Sequence, residues 1–110
     1  MSLDLHKLAD ERSLELHREI ARRLNDDPTI VARAREKVAR WLAEGTVHPV
    51  YAQEWAAILD GPLEGLLAVL TGQDQHSTDL RHVTPFSFVV PPRERWRIWR
   101  ETRERLEAAK

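Results

Sequence analysis

The chain has 110 residues, with 17 basic and 18 acidic side chains, no cysteine and four tryptophans. This length suits one domain with a single hydrophobic core, and the lack of cysteine excludes disulfide-stapled scaffolds, cysteine–zinc sites and thiol nucleophiles. A net charge of −1 gives no overall attraction to nucleic acid or to an anionic membrane. No apolar run, residues 66–70 included, approaches the roughly 18 residues that a membrane span needs, and the acidic start is unlike a signal peptide. We therefore expect one cytoplasmic domain over residues 1–110.

The first predicted element is a long amphipathic helix over residues 4–24, which neither Gly nor Pro interrupts. Most of its apolar residues recur every three or four positions, although Leu14 lies off that stripe. A boundary follows, where Asp27 is suited to cap a new helix and Pro28 to begin it. The stripe consists of Leu5, Leu8, Ala9, Leu16, Ile20 and Leu24.

Three further helices are predicted, and each ends at a helix breaker. Gly45 is expected to close the first of them in the left-handed conformation, and Gly61-Pro62 marks a tight corner between the other two. Trp41 and Trp55 lie on apolar stripes, so we expect both to be mostly buried. The predicted ranges are residues 28–44, 50–60 and 62–71.

The remainder of the chain is predicted as an irregular segment followed by a last helix. Ser77 or Thr78 is suited to start a single helical turn. Residues 84–90 have strand-like composition but no partner strand, which favours a loop whose Phe86 and Phe88 cover the core. The last helix is expected from residue 92 to about residue 109. These patterns predict an all-α fold, a single compact five- to six-helix domain with a Phe/Pro-containing loop before the last helix.

Two groups of histidine-containing residues are candidates for a metal site or a proton relay. Neither has the His-x-x-x-His spacing of a helical zinc site, so we expect the first group to be the solvated side of its helix and the second to be an ordinary polar connection. His48 precedes Pro49 and is expected to cap a helix or to pack there. The two groups are His6, Asp10, Ser13 and His17, and His76, Asp79 and His82.

Signatures of catalysis are missing from the sequence. It contains neither the Gly-x-Ser-x-Gly elbow nor a glycine-rich phosphate cradle, and its adjacent carboxylates are typical of solvated runs. We therefore predict no catalytic residue, no bound metal and no cofactor. A small enzyme with a histidine-centred site stays as an alternative interpretation.

Charge is distributed unevenly along the chain. Residues 1–45 are balanced, residues 46–85 carry a net charge of −4, and residues 86–110 carry +3. The last helix combines six arginines with Trp96 and Trp99, a mixture typical of recognition surfaces. In the alternative interpretation the arginines pair with glutamates three or four residues away and the tryptophans belong to the core. Because Trp96 and Trp99 are three residues apart and can share one helix face, we expect at least one of them to be part of the core. The candidate partner-binding residues are Phe86, Phe88, Arg93, Arg95, Trp96, Arg97, Trp99, Arg100 and Arg103.

DNA recognition through a helix-turn-helix is not favoured. Residues 41–70 imitate such a module, with residues 50–60 in the recognition position. That stretch has no Arg or Lys, and Gln53 is its only side chain suited to read a base edge. Nucleic-acid binding through the arginine-rich last helix and self-association of the amphipathic helices remain as alternatives.

Four strings spread over most of the chain are distinctive: ERSLELH at 11–17, RWL with HPVY at 40–51, LDGPL at 59–63, and TPF with PRERWRIWR at 84–100. Together they resemble a group of small helical bacterial proteins encoded beside nucleotidyltransferase-like toxin proteins. The resemblance implies an antitoxin-like or accessory protein that binds such a partner and is not itself an enzyme. It carries over no catalytic residue.

Overall fold

A computed structural model describes residues 4–109, which form six α-helices and no strand. The prediction of an all-α domain of five to six helices is confirmed. None of the helices within these residues is long and apolar enough to cross a membrane. The helices are α1 (Leu5–Asp26), α2 (Thr29–Glu44), α3 (Pro49–Asp60), α4 (Leu63–Thr71), α5 (Gln75–Arg81) and α6 (Pro92–Ala108).

The central element is α1, which packs against α4, α5 and α6. A helix covered on several sides buries more than one stripe of its surface. Leu14 is accordingly buried although it lies off the predicted stripe, whereas Leu5 and Ala9 are exposed near the start of the helix. The buried residues of α1 are Leu8, Leu14, Leu16, His17, Ile20, Ala21 and Leu24.

The middle of the core is formed by Trp55 of α3 and by the loop that precedes α6. Phe86 from that loop is fully buried and meets the Trp55 ring edge-on, with ring centroids 5.9 Å apart. Val90 closes the same loop and is also buried. The predicted loop is confirmed, and Trp55 is buried as expected, whereas Trp41 is only partly buried against the core.

Most predicted helix boundaries are confirmed to within two residues. Asp27 accepts a hydrogen bond from the backbone N–H of Thr29 at 3.0 Å, so it caps α2 although the helix begins one residue later than predicted. Gly45 ends α2 with φ of +69°, in the left-handed region. His48 caps α3, because its Nδ1 accepts from the backbone N–H of Val50 at 3.2 Å.

The start of α5 was predicted wrongly. Its N-cap is Asp74, whose carboxylate accepts from the backbone N–H of Ser77 at 3.1 Å, so Ser77 lies inside the helix and does not start it. Asp74 satisfies an N–H group that the first helical turn would otherwise leave without a partner. Hydrogen bonding by the Ser77 side chain, together with this backbone bond, holds the pKa of Asp74 below its ordinary value, since both favour the charged carboxylate.

Two glycines of this region are expected to respond to alanine in opposite directions. A Cβ at Gly72 would lie 2.6 Å from the Ala68 carbonyl oxygen and 2.8 Å from an Asp74 carboxylate oxygen. We expect Gly72→Ala to lower the free energy of unfolding by about 1–3 kcal/mol, because backbone must shift to admit the methyl group. Gly65, inside α4, has only Pro62 at 4.0 Å, so Gly65→Ala is expected to stabilise by about 0.5–1 kcal/mol.

Urea unfolding of both variants, followed by far-UV circular dichroism, measures this difference. Equal effects of the two substitutions would contradict the close packing around Gly72.

Candidate functional site

The last helix, α6, lies on α1 through a narrow inner face. Thr102 and Leu106 are buried there, and Ile98 is partly buried against the core. The Thr102 hydroxyl donates to the Ile98 carbonyl at 2.7 Å, so this buried polar group has a partner within its own helix. The opposite side of α6 is left facing away from the core.

Ion pairs hold α6 to α1 near both of its ends. Arg23 binds Glu94 at 2.7 Å, and Arg105 binds Glu11 at 3.1 Å. Because the N-terminal part of α6 meets the C-terminal part of α1, the two helices run antiparallel. Arg23 donates hydrogen bonds to the carboxylates of Glu94 and Glu19, and these bonds raise the pKa of Arg23.

The outer face of α6 combines one exposed ring with exposed cations. Trp96 is 62% exposed, which is unusual for so large an apolar side chain. The arginines beside it lie three, four or seven residues away, or directly next to it, and all are exposed. The outer face is defined here as Arg93, Trp96, Arg97, Arg100 and Arg103.

Few of these arginines are neutralised within the molecule. Over residues 4–109 the only ion pair inside α6 joins Arg103 to Glu107, at 2.8 Å. Glu94 and Arg105 of α6 instead form ion pairs with residues of α1. The alternative interpretation, in which the arginines of α6 pair with glutamates of the same helix, therefore holds only for Arg103. No ion pair in the described part of the chain involves Arg93, Arg95, Arg97 or Arg100.

The remaining candidate partner-binding residues do not all share this face. Phe86 has no exposed surface, so the folded chain cannot offer it to a partner; it packs under the loop instead. Phe88 is partly buried beneath the Arg33 guanidinium, which lies 4.2 Å from its ring centroid. Arg95 and Trp99 are partly buried at the flanks of α6. The prediction that Trp96 or Trp99 belongs to the core is wrong, because smaller residues fill the inner face.

His17 is buried, which corrects the expectation of a solvated helix side. Its Nδ1 lies 2.7 Å from the Ser13 carbonyl, and its Nε2 lies 2.8 Å from the Thr84 hydroxyl oxygen. The Phe86 backbone N–H donates to the same Thr84 oxygen at 3.1 Å. Because the Ser13 carbonyl can only accept, His17 carries a proton on Nδ1, and in the neutral imidazole Nε2 accepts from the Thr84 hydroxyl. This network ties α1 to the loop.

Burial lowers the pKa of His17 from 6.5 to about 4. The cause is the loss of water around the charged form, and the charges of Arg81 and His82 act in the same direction. The hydrogen bond to the Ser13 carbonyl opposes the shift. His17 is therefore neutral at pH 7 and acts there as a structural hydrogen-bonding group.

A groove of about 320 Å³ opens beside His17, between α1, the end of α5 and the inner flank of α6. Its walls contain cations, a hydroxyl group and an aromatic ring, and no Asp or Glu of residues 4–109 lines it. Arg12 donates through Nε to the Trp99 carbonyl at 3.4 Å and lies 5.8 Å from the centre of that ring. We call it the His17 groove; its lining includes Ala9, Arg12, Ser13, His17, Arg81 and Trp99.

Arg81 is a buried cation, with 2% of its surface exposed. Its Nη1 donates to the carbonyls of Val69 at 2.8 Å and Gly72 at 2.6 Å, and its Nη2 donates to the Thr78 hydroxyl at 3.3 Å. These acceptors are neutral, and the buried Nε–H has no acceptor among residues 4–109. Burial lowers the pKa of Arg81, although the more distant carboxylates of Asp74 and Asp10 oppose that change.

The two histidine groups of the sequence meet only in part. His82 lies 2.8 Å from an Asp10 carboxylate oxygen, which joins one member of each group. His76 contacts Glu54 instead, and that carboxylate raises the pKa of His76. Within residues 4–109 no three His, Asp or Glu side chains converge closely enough to hold a metal ion. His76 and His82 thus each contact a single carboxylate.

Sequence reasoning missed Arg12, Arg81 and Thr84. Their positions are far apart in the chain, and each is an ordinary residue in its local segment. No family model, curated protein or solved structure is significantly similar to this chain.

Proposed function

We propose that this chain is a protein-binding module, the antitoxin-like partner of a nucleotidyltransferase-type protein encoded beside it. The observation that supports this proposal is the outer face of α6, where three arginines beside exposed Trp96 form no ion pair within the described chain, namely Arg93, Arg97 and Arg100. A large ring and planar guanidinium groups offer contact area and directed hydrogen bonds at modest entropic cost. The partner surface is expected to be acidic, with an apolar socket for the Trp96 ring.

A protein partner fits this face better than nucleic acid does. Glu101 and Glu104 are exposed on α6 and follow the cationic positions, and they would repel a phosphate backbone. A folded partner surface, in contrast, can place its own cations opposite these carboxylates. The distinctive strings noted above point to the same class of partner.

Co-expression with the product of the adjacent gene, followed by size-exclusion chromatography, tests the proposal. One co-eluting complex is expected, and calorimetry on the purified proteins then gives its affinity. Arg100→Glu and Trp96→Ala are each expected to weaken binding by at least about tenfold, since they remove a cation and the central ring. The matched control is Arg40→Glu, which reverses an exposed charge on α2 and is expected to leave the affinity unchanged.

Three results would contradict the proposal. The first is that the two proteins elute separately. The second is that the control substitution weakens binding as much as Arg100→Glu does. The third is that the purified chain binds duplex DNA at low salt and that the double variant Arg97→Glu/Arg100→Glu does not. A concentration-dependent dimer that Trp96→Ala abolishes would instead assign the outer face to self-association.

A further inference from the structure

We infer that the His17 groove binds a small organic carboxylate with a flat apolar body. This site lies on the inner flank of α6 and shares no residue with the outer face, so it is independent of the proposed partner surface. Three properties of the groove support this inference: its charge, its lining and its size.

The first property is the positive charge of the groove, where Arg81 is buried without a direct carboxylate partner. A buried cation bonded only to neutral oxygens has lost much of its hydration without receiving an opposite charge in return. Arg12, a second arginine, lines the same groove, and its Nε donates to a neutral carbonyl, that of Trp99. Asp10, beside the groove, is already bonded to His82. The groove lining thus contains two arginines, Arg12 and Arg81, and no carboxylate among residues 4–109.

The lining specifies the rest of the ligand. Trp99 supplies an aromatic wall, and Leu16 and Ala9 supply aliphatic surface. The Ser13 hydroxyl is a hydrogen-bonding group on the α1 side. Guanidinium groups bind carboxylates with paired N–H donors, while a flat apolar body can pack against the indole ring. These features together favour an aromatic carboxylate over an inorganic anion, which would leave the apolar wall uncovered.

Size limits the ligand to a small molecule. The groove volume of about 320 Å³ lies at the lower end of the range usual for ligand sites, which begins near 300 Å³. Benzoate is therefore a suitable probe. Its neutral analogue benzamide has the same shape and lacks the charge, so the pair separates recognition of the anion from simple apolar binding.

The test is a titration of the full chain with benzoate, followed by NMR of the tryptophan indole N–H signals. The Trp99 signal, assigned by its loss in Trp99→Phe, is expected to shift, whereas that of Trp41 on the far helix α2 is expected to stay. Benzamide is expected to give no comparable shift. Arg12→Gln should weaken benzoate binding by about tenfold, because one charge-assisted contact is lost.

Two further variants keep the test decisive. Ala9→Leu fills the groove from an exposed helical position without changing any charge, and it is expected to abolish the benzoate shift. Arg40→Gln removes an exposed cation on α2 and should leave binding unchanged. Equal shifts with benzoate and benzamide, unchanged binding in folded Arg12→Gln or Ala9→Leu, or no Trp99 shift at about 10 mM benzoate would overturn the assignment.

Discussion

Replacing Trp55 with alanine is expected to lower the free energy of unfolding by about 3–5 kcal/mol. Trp55 has no exposed surface, and its ring packs edge-on against Phe86. Its Nε1 donates to the Leu80 carbonyl at 3.2 Å, which connects α3 to α5. The substitution therefore removes the largest buried side chain of the core and one of the hydrogen bonds to the Leu80 carbonyl, which also accepts from the Val83 backbone N–H at 3.0 Å.

Chemical unfolding in urea, followed by far-UV circular dichroism, measures this loss. Trp96→Ala is the matched control, because it removes the same side chain from the exposed outer face and is expected to change stability by less than about 0.5 kcal/mol. A Trp55→Ala variant no less stable than Trp96→Ala would show that the core is not centred on Trp55.

Acidification is expected to destabilise the chain through His17. Its folded pKa of about 4 lies below the ordinary value of 6.5, so the unfolded chain binds the proton more tightly. The stabilisation is fully present above about pH 6.5 and is lost as the pH falls toward the folded value. From these two values the loss is about 2 kcal/mol between pH 7 and pH 5, and about 3 kcal/mol at pH 4.

The interval from pH 7 to pH 5 separates His17 from the carboxylates whose pKa values are shifted. Capping bonds lower the pKa of Asp27 and Asp74, and arginine bonds lower that of Glu19, so their contributions are lost only as the pH falls below about their ordinary values, 3.8 for Asp and 4.5 for Glu. His76 acts with the opposite sign: its raised pKa stabilises below about 6.5, and that contribution is lost as the pH rises through the folded value. Its exposure to solvent screens this effect.

Urea unfolding of the unmodified chain and of His17→Gln, at pH 7 and pH 5, checks this prediction. Glutamine retains hydrogen-bonding capacity but does not titrate, so the variant is expected to lose most of the pH dependence, whatever its stability at pH 7. The same loss of stability between the two pH values in both proteins would assign the acid sensitivity to another group.

Local signals in the sequence sufficed for most of the fold. Gly45 and Gly61-Pro62 mark real helix ends, and periodic apolar residues identify the long helices. The cap of α5 was missed because Asp74 and Ser77 are both good capping residues, and their order is decided by packing. Leu14 and His17 were misjudged because burial around α1 depends on three neighbouring helices, which periodicity along one helix does not describe.

The candidate site was predictable only in outline. The arginines and tryptophans of the last helix are visible in the sequence, but which of them stay unpaired depends on how α6 docks. Glu94, three residues from Arg97, pairs instead with Arg23 across the helix interface. The His17 groove could not be predicted, because Arg12 and Arg81 come together only through the packing of α1 and α5.

The two ion pairs between α6 and α1 fix the rotation of α6 about its own axis. Glu94 and Arg105 are separated by roughly three helical turns and both contact α1, so neither end of the helix can roll independently of the other. The buried Thr102 lies between them, the buried Leu106 directly follows Arg105, and both secure the same orientation. A molecule that contacts the opposite side of α6 therefore meets a backbone already in place, so the conformational entropy that this helix loses on binding comes from its side chains.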